Sequence, residues 1–280
     1  MPNDKRFYYG FLLPVFILFS PIVSAIEVTI ATGINDDPPY VYGDEKISVE
    51  RPGVTIEILK LIEQRTQVKF NIIKQPWARV VETVKSGKLD GGFHFSYKDE
   101  RKSFVAYPIE KGETLPNPKY SISNRSYSLY KLKGAPIRWT GENIVKDSGG
   151  PIIIGVIRGG SIADNIRNRG HQLLEVDRDV QLVKLLLAKR IDALVGLDNM
   201  IDAELRTLDR QQQTTIEKTF PAIVSKPYYI AFSKQFYRKN PELAWDIWEV
   251  IDLIRMSGEL ADMFNRYTDK QQYTAIEPQL

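Results

Sequence analysis

Short apolar runs alternate along the chain with longer stretches in which apolar residues recur every three or four positions. This pattern is typical of β-strands that alternate with amphipathic helices, and it predicts an α/β fold with a mostly parallel, helix-covered sheet. The first series of predicted elements comprises strands at 28–31, 68–73 and 89–95 and helices at 54–64 and 78–85. The second series comprises a strand at 151–156, a helix opening at Ser161, a strand at 173–176, a helix at 180–189 and a strand at 191–197.

The two series resemble each other. Residues 79–96 align with residues 181–198 at an offset of 102 without a gap, and the ends of the predicted helices and strands coincide. Two amphipathic helix–strand units can share such a pattern by chance. The alternative is a protein of two lobes with equivalent units. Ligands of parallel sheets bind beyond the carboxyl ends of the strands, so His94, Phe95 and Ser96 would then face a cleft shared with residues 196–198.

Two extended segments are predicted to cross between the lobes. The first, at 126–130, follows a stretch rich in Pro, Gly, Asn and Ser at 110–125. The second, at 227–232, precedes predicted helices at 241–256 and 258–267. One lobe would therefore comprise residues 26–125 and 228–280, and the other residues 126–227. The tail after Asp269 is polar and is expected to fray.

The first 25 residues have a pattern of their own. Lys5 and Arg6 precede an uncharged apolar run of about 13 residues at 7–19, and small residues at 23–25 suit a cleavage site. A membrane-spanning helix needs roughly 20 apolar residues. The pattern therefore predicts a secretory signal peptide that is cleaved after Ala25, and a mature protein in the periplasm.

Composition narrows the classes of function. The 280 residues are 43% hydrophobic and 26% charged, as in ordinary globular proteins. The net charge of +3 comes from scattered basic residues rather than a basic stripe, so we expect no nucleic-acid partner. The absence of Cys excludes a disulfide framework, a thiol nucleophile and a thiolate zinc site. The two histidines, His94 and His171, fall in different predicted lobes, so we expect no metal and no cofactor.

Two charged residues follow the ends of matching strands. Arg101 comes shortly after the strand that ends near Phe95, and a guanidinium at the mouth of a cleft can bind a carboxylate or phosphate bidentately. Asp198 ends the equivalent strand of the second series. Its carboxylate is suited either to receive an ammonium group or to cap a helix at 199–208.

Other candidates lie at connections between strands and helices. Gly160 and Ser161 precede a predicted helix, where backbone N–H groups attract anions and where a serine also serves as a cap. Trp77 and Tyr40 lie at strand-to-helix connections on the side of the predicted cleft. Aromatic rings at such positions either stack on a ligand or belong to the core.

Several short motifs, in this order and spacing, resemble the type II periplasmic solute-binding proteins of family 3, the polar amino acid receptors of ABC importers. The motifs extend from Glu27 to Thr268 and are Pro38-Pro39-Tyr40, Gly53-Val54-Thr55-Ile56-Glu57, Pro76-Trp77-Ala78-Arg79, Gly87-Lys88-Leu89-Asp90-Gly91, Asp99-Glu100-Arg101, Gly155 to Ser161, Asp192-Ala193 with Asp198, and Asn240-Pro241-Glu242-Leu243.

The resemblance implies two α/β lobes, joined by two crossing strands, that close on a small polar solute and then dock on an inner-membrane ABC permease. It also implies that Arg101, assisted by Gly160 and Ser161, binds the α-carboxylate of an amino acid, and that Asp198 binds the α-ammonium group. The chain differs from the family pattern at Asp37, where many members have a stacking aromatic, and at Lys98, where a small hydroxyl residue is usual. Lys98 and the nearby Arg79 would favour a more acidic ligand.

The sequence therefore predicts a monomeric receptor for an amino acid or a related zwitterion or anion, without chemistry of its own. Two alternatives share the fold. One is a periplasmic enzyme similar to cyclohexadienyl dehydratase, with Asp37 or Asp198 as the general acid. The other is a signalling module whose closed form contacts a membrane sensor kinase.

Overall fold

The computed structural model describes residues 25–268, which form two lobes that share one continuous sheet. The strands are β1 (Ile26–Gly33), β2 (Val68–Gln75), β3 (Gly91–Ser96), β4 (Val105–Ala106), β5 (Ser123–Leu132), β6 (Ile137–Trp139), β7 (Ile144–Lys146), β8 (Ile153–Ile157), β9 (Gln172–Val176), β10 (Ala193–Leu197), β11 (Ile216–Lys218) and β12 (Val224–Ser233). The helices are α1 (Val54–Arg65), α2 (Trp77–Lys85), α3 (Ala163–Arg167), α4 (Asp179–Leu187), α5 (Asp198–Thr207), α6 (Arg210–Thr215), α7 (Lys234–Lys239), α8 (Pro241–Met256) and α9 (Glu259–Thr268).

The sheet has a parallel set of strands in each lobe and an antiparallel pair between them. Its order is β2-β1-β3-β12-β5-β10-β8-β9. In the first lobe β1 pairs in parallel with β2 and β3, and in the second β8 pairs in parallel with β9 and β10. The long strands β5 and β12 pair with each other, and each also pairs with a strand of a parallel set. These two strands are therefore the crossings between the lobes.

Each lobe buries apolar side chains on both faces of its parallel strands. In the first lobe Ile30 packs in one core cluster with Trp248, whose indole N–H donates to the carbonyl of Ile230 at 2.8 Å, and the neighbouring Ala31 packs in another with Val80. Ile154 and Leu194 are completely buried in the second lobe. Burial on both faces explains why these strands are near-continuous apolar runs in the sequence.

The internal similarity of the sequence corresponds to equivalent units in the two lobes. Helices α2 and α4 begin at Trp77 and Asp179, and strands β3 and β10 begin at Gly91 and Ala193, so both pairs are separated by the offset of 102. Trp77 and Asp179 therefore occupy the same position, the first residue of the helix, in the two units.

One irregularity distinguishes the two units. Phe95 of β3 lies opposite Tyr229, whereas Gly92 lies opposite Ala231, so β3 contains one residue more than its partner in between. The backbone of His94 has a φ of 64°, the left-handed conformation of a bulged residue. Strand β10 pairs with β5 in an unbroken register. Because side chains alternate between the faces of a strand, the extra residue makes the end of β3 face the opposite way to the aligned end of β10.

The predicted strands and helices of residues 28–267 are all present, and most of their ends differ from the prediction by one to three residues. The helix predicted to open at Ser161 instead begins at Ala163 and has 5 residues. The cause is a turn before it, in which the N–H of Gly160 donates to the carbonyl of Ile157 and Gly159 has a φ of 73°. Strands β4, β6, β7 and β11 and helices α6 and α7 lie where no element was predicted.

The predicted lobe boundaries, at 125/126 and 227/228, fall within β5 and β12. The predicted signal peptide and the polar tail after Asp269 lie outside the described residues, apart from Ala25. Between residues 25 and 268 no helix is long and apolar enough to cross a membrane.

Candidate functional site

A cleft lies between the lobes, at the carboxyl ends of β1, β3, β8 and β10. It contains about 790 Å³ of space not filled by protein, counted up to its open mouth. Seven of the predicted site residues line it: Asp37, Trp77, His94, Ser96, Arg101, Gly160 and Ser161. It is also lined by residues that the sequence reasoning did not select, among them Asn35, Arg125, Tyr127, Asp177, Asp179 and Tyr228.

Arg101 lies on a 3-10 turn, Asp99–Ser103, that follows β3 and holds its side chain in the cleft. The residue is only 4% exposed. Its guanidinium donates to the carbonyl of Ser96 at 2.9 Å and, across the cleft, to the carbonyl of Gly159 at 3.0 Å. It also lies 5.5 Å and 5.8 Å from the ring centroids of Phe95 and Trp77. All of these partners are neutral, so they fix the orientation of the cation without compensating its charge.

Gly159 connects the lobes. Its carbonyl accepts from the indole N–H of Trp77 at 3.1 Å as well as from Arg101. Gly159 has a φ of 73°, and a Cβ at this position would lie 3.2 Å from the Cα of Ala78. Glycine therefore allows both the turn and the close approach of the two lobes. The neighbouring Gly160 and Ser161 line the cleft from this turn.

A buried ion pair forms the base of the cleft at the crossing strands. Arg125 of β5 and Asp37 lie 2.5 Å apart, with side chains 3% and 10% exposed. The guanidinium of Arg125 also lies 4.1 Å from the centroid of the Tyr40 ring. Burial alone would raise the pKa of Asp37, but the charge of Arg125 and the hydrogen bond from His94 hold it well below its usual range. Asp37 is therefore ionised.

His94 completes a chain of hydrogen bonds with Asp37. Its Nδ1 lies 3.2 Å from the Asp37 carboxylate, and its Nε2 lies 2.9 Å from the hydroxyl of Thr55. Burial, together with the charge of Arg125, lowers the pKa of His94 to about 4, so the ring is neutral at pH 7. Since a carboxylate only accepts, Nδ1 carries the proton and the hydroxyl of Thr55 donates to Nε2. This Asp–His–Thr arrangement offers no nucleophile to a solute, because Thr55 is completely buried.

Asp179, the first residue of α4, is a second buried carboxylate in the cleft. It is 2% exposed, and the side-chain amide of Asn35 on the opposite lobe donates to it at 2.7 Å. Burial, only partly offset by this hydrogen bond, raises its pKa to about 7. The hydrogen bond between Asn35 and Asp179 joins the lobes. A second one does the same, in which the side-chain amide of Asn199 donates to Asp37 at 2.8 Å. The lobes are therefore in contact through polar groups on both sides of the cleft.

Five predicted site residues do not line the cleft. The Asp198 carboxylate, on the first residue of α5, is not in the cleft lining and lies 3.0 Å from Nζ of Lys218. Strand β10 lines the cleft with Val195, Gly196 and Leu197. Lys98 forms a salt bridge with Asp164 outside the cleft. Tyr40 and Phe95 pack beneath Arg125 and Arg101, respectively, and Arg79 on α2 is exposed to solvent.

The chemistry of the lining residues suits recognition of a small charged solute. Two guanidinium groups, three carboxylates, several hydroxyl groups and an indole ring surround the space. Within the described part of the chain no group of three or more His, Asp and Glu residues could hold a metal ion.

Comparisons with known proteins agree with this architecture. The sequence profile of the bacterial extracellular solute-binding proteins, family 3, matches residues 30–270. No curated protein sequence matches the chain significantly.

Similar solved structures come from transport and signalling proteins. One is a histidine kinase sensor domain with similarity to periplasmic binding proteins, at 16% identity and a TM-score of 0.69 over 88% of this chain and 97% of that one. Another is a mutant of ArgBP from T. maritima, at 16% identity and a TM-score of 0.67 over 87% and 96%. A third is AbpA, an amino acid ABC transporter substrate-binding protein from Streptococcus pneumoniae bound to L-arginine, at 16% and 0.63 over 86% and 94%. At such identities the similarity shows a shared fold.

Proposed function

The chain belongs to family 3 of the bacterial extracellular solute-binding proteins, and from this premise we propose that its cleft captures a small polar solute, an amino acid or a related zwitterion or anion. The main support is the buried, uncompensated charge of Arg101. This guanidinium is 4% exposed between the lobes, and its hydrogen bonds go to neutral oxygens. A buried cation without a counter-charge is costly, and an anionic group of a solute would compensate it.

Contacts from both lobes support capture by closure. Gly159, Gly160 and Ser161 of the second lobe lie across the cleft from Arg101 and Trp77. A solute held between these groups would bind the closed arrangement better than an open one and would therefore stabilise it. Hinge closure around a ligand is the mechanism of periplasmic binding proteins as a class.

We also propose where the protein acts and which membrane protein receives its solute. With the predicted signal peptide removed, the protein would act in the periplasm as a monomer and deliver its solute to an inner-membrane ABC permease. Deletion of the gene would then reduce uptake of the solute by intact cells, and a plasmid copy would restore it. A plasmid copy that carries Arg101→Met would not.

Thermal unfolding against a panel of solutes tests the proposal. Residues 26–280 are denatured and refolded to remove any solute carried through purification. They are then heated with amino acids, polyamines, dicarboxylates or short peptides, and with NaCl at equal ionic strength as the control. A solute at 100 times its dissociation constant stabilises the native state by about 2.7 kcal/mol, or roughly 5 to 10 °C for a protein of this size. A panel that leaves the unfolding temperature unchanged would contradict the proposal.

The enzymatic alternative needs a protonated acid beside the solute. Asp37 lines the cleft, but Arg125 and His94 keep its pKa low, so it is a poor general acid. The acid in the cleft with a pKa near 7 is Asp179, and an enzyme would have to use it. Because the family is one of solute-binding proteins, we propose binding without chemistry. Mass spectrometry of each stabilising solute after long incubation with the protein would recover it unchanged, and a product formed in proportion to protein concentration would support the enzyme instead.

Signalling is a second candidate, because a histidine kinase sensor domain is among the similar structures. In that case the closed, solute-bound protein would contact a membrane sensor. Deletion of the gene would then leave uptake unchanged and would abolish a transcriptional response to the solute.

A further inference from the structure

Most charged side chains that line the cleft are paired with an opposite charge. Asp37 pairs with Arg125 at 2.5 Å, and Asp177 pairs with Arg158 at 3.0 Å. These pairs are balanced without a solute. The exceptions are one cation and one anion, and they lie on opposite lobes.

The cation is Arg101 of the first lobe. Within residues 25–268 no carboxylate forms a salt bridge with it, and its hydrogen bonds go to Ser96 and Gly159. The anion is Asp179 of the second lobe. Over the same range no Lys, Arg or His forms a salt bridge with Asp179. The two groups are 4% and 2% exposed, so solvent does little to compensate either charge.

The surroundings of Asp179 increase the cost of its negative charge. Its hydrogen-bond donors are neutral, namely the amide of Asn35 and its own backbone N–H. Glu204 of α5 and Asp37 both repel it. The adjacent Arg178 points instead to Glu45, at 2.9 Å. A cation placed beside Asp179 would therefore compensate a buried negative charge that no basic side chain among residues 25–268 pairs with.

We propose that Asp179 accepts the cationic group of the solute whose anionic group binds Arg101. This inference rests on the proposed receptor function and names its substrate class: the cleft selects zwitterions whose two charges reach opposite lobes. Asp179 is then the residue that determines specificity for the cation, a role for which Asp198 is not available, because its carboxylate faces Lys218.

Binding of a cation beside Asp179 should also release the proton of its carboxyl group. Because burial raises the pKa of Asp179 to about 7, its carboxyl is partly protonated at neutral pH, and a cation would displace the proton to the buffer. A residue with a purely structural role would not release a proton when the solute binds.

The test compares Asp179→Asn with Asp198→Asn in residues 26–280, refolded from denaturant. Each variant is heated with a mixture of the twenty proteinogenic L-amino acids, or with a mixture of N-acetyl derivatives in which every amine is acetylated and from which Arg and His are left out, so that each compound keeps the carboxylate and carries no cation. Wild type and Asp198→Asn are expected to be stabilised by the amino acids and not by the acetylated mixture. Asp179→Asn is expected to bind the single amino acid that stabilises wild type most at least about 30-fold more weakly.

Asn is nearly isosteric with Asp and removes a buried charge, so the variant should fold. Asp179→Ser is the second variant and should show the same loss. Calorimetry of wild type with that amino acid at pH 7, in two buffers of different ionisation enthalpy, should show proton release when the solute binds. Asp179→Asn should release none.

The other outcomes overturn the inference in distinguishable ways. Equal affinity of wild type and Asp179→Asn for the amino acid would remove Asp179 from recognition and leave the receptor function intact. Stabilisation by the acetylated mixture, or by dicarboxylates alone, would show that the solute needs no cation, again without contradicting a receptor. A protein that no solute stabilises would overturn the proposed function, and this inference with it.

Discussion

Arg125→Met is expected to destabilise the protein more than any change at an exposed arginine. The variant removes the cation from a buried pair and leaves Asp37 in place. The two groups lie 2.5 Å apart with side chains 3% and 10% exposed, so water cannot replace the lost partner. Asp37 would keep the hydrogen bonds from His94 and Asn199, but neither of these donors carries a charge at pH 7.

The size of the effect follows from burial. Breaking a buried ion pair by removal of one partner typically costs about 3 to 5 kcal/mol, because the remaining charge is uncompensated. For a protein of this length each kcal/mol lowers the unfolding temperature by roughly 2 to 4 °C, so we expect a decrease of about 6 to 20 °C. The double variant Asp37→Asn, Arg125→Met removes both charges and should be less destabilised than the sum of the two single changes.

The assay is urea unfolding of residues 26–280, followed by circular dichroism, for wild type, both single variants and the double variant. Arg190→Met is the control, since Arg190 is exposed, and it should change the free energy of unfolding by less than about 0.5 kcal/mol. If Arg125→Met cost less than about 1 kcal/mol, or if the two changes were additive, the pair would not be the buried, coupled interaction that the structure describes.

Three further predictions concern stability and protonation. Without solute, Asp179→Asn should raise the unfolding temperature at pH 8 and change it little at pH 4. The pKa of Asp179 is raised from 3.8 to about 7, so ionising this carboxyl in the folded state costs up to about 4 kcal/mol as the pH rises from 4 to 8. Equal shifts at both pH values in scanning calorimetry would contradict this. His94 should remain neutral at pH 6 in NMR spectra, because its pKa is lowered to about 4, and protonation near pH 6.5 would mean that the ring is not buried against Arg125. Gly53→Ala should destabilise the protein by several kcal/mol in urea unfolding, since Gly53 has a φ of 104° and a Cβ would lie 2.3 Å from the carbonyl oxygen of Tyr40; a loss below about 0.5 kcal/mol would show that the backbone adjusts.

The sequence predicts the fold well because hydrophobic periodicity is set locally. The helix at 241–256 and the strand at 68–73 can be read from the spacing of apolar residues alone, and both are present in the structure. The pairing of β5 with β12 could not be read in this way, because a register between distant strands depends on contacts that no local pattern encodes.

The site is harder to predict, because the direction of a side chain depends on single-residue irregularities. Ser96, which follows the bulge at His94, lines the cleft, whereas the aligned Asp198 begins α5 and faces Lys218. The internal similarity of the sequence does indicate Asp179. The offset of 102 that relates the two units pairs Trp77 with Asp179, so the selection of Trp77 as a cleft residue also pointed to Asp179.

Arg125 was missed for a different reason. It lies at the predicted boundary of the first lobe, in a crossing strand, where a sequence gives no indication of a partner. The partner is Asp37, 88 residues earlier in the chain. Such a pair becomes visible only when the crossing strand is placed beside the loop that follows β1.

A calorimetric titration of residues 26–280 with the solute that stabilises them most tests the role of Arg101 directly. We expect Arg101, between the lobes, to bind the anionic group of that solute. Wild type and Arg190→Met should bind one solute per chain with the same affinity, and Arg101→Met should bind at least about 30-fold more weakly, because the counter-charge of a buried anion is lost. If Arg101→Met bound the solute as tightly as wild type, the anion would not lie at Arg101 and the proposed mode of capture would be wrong.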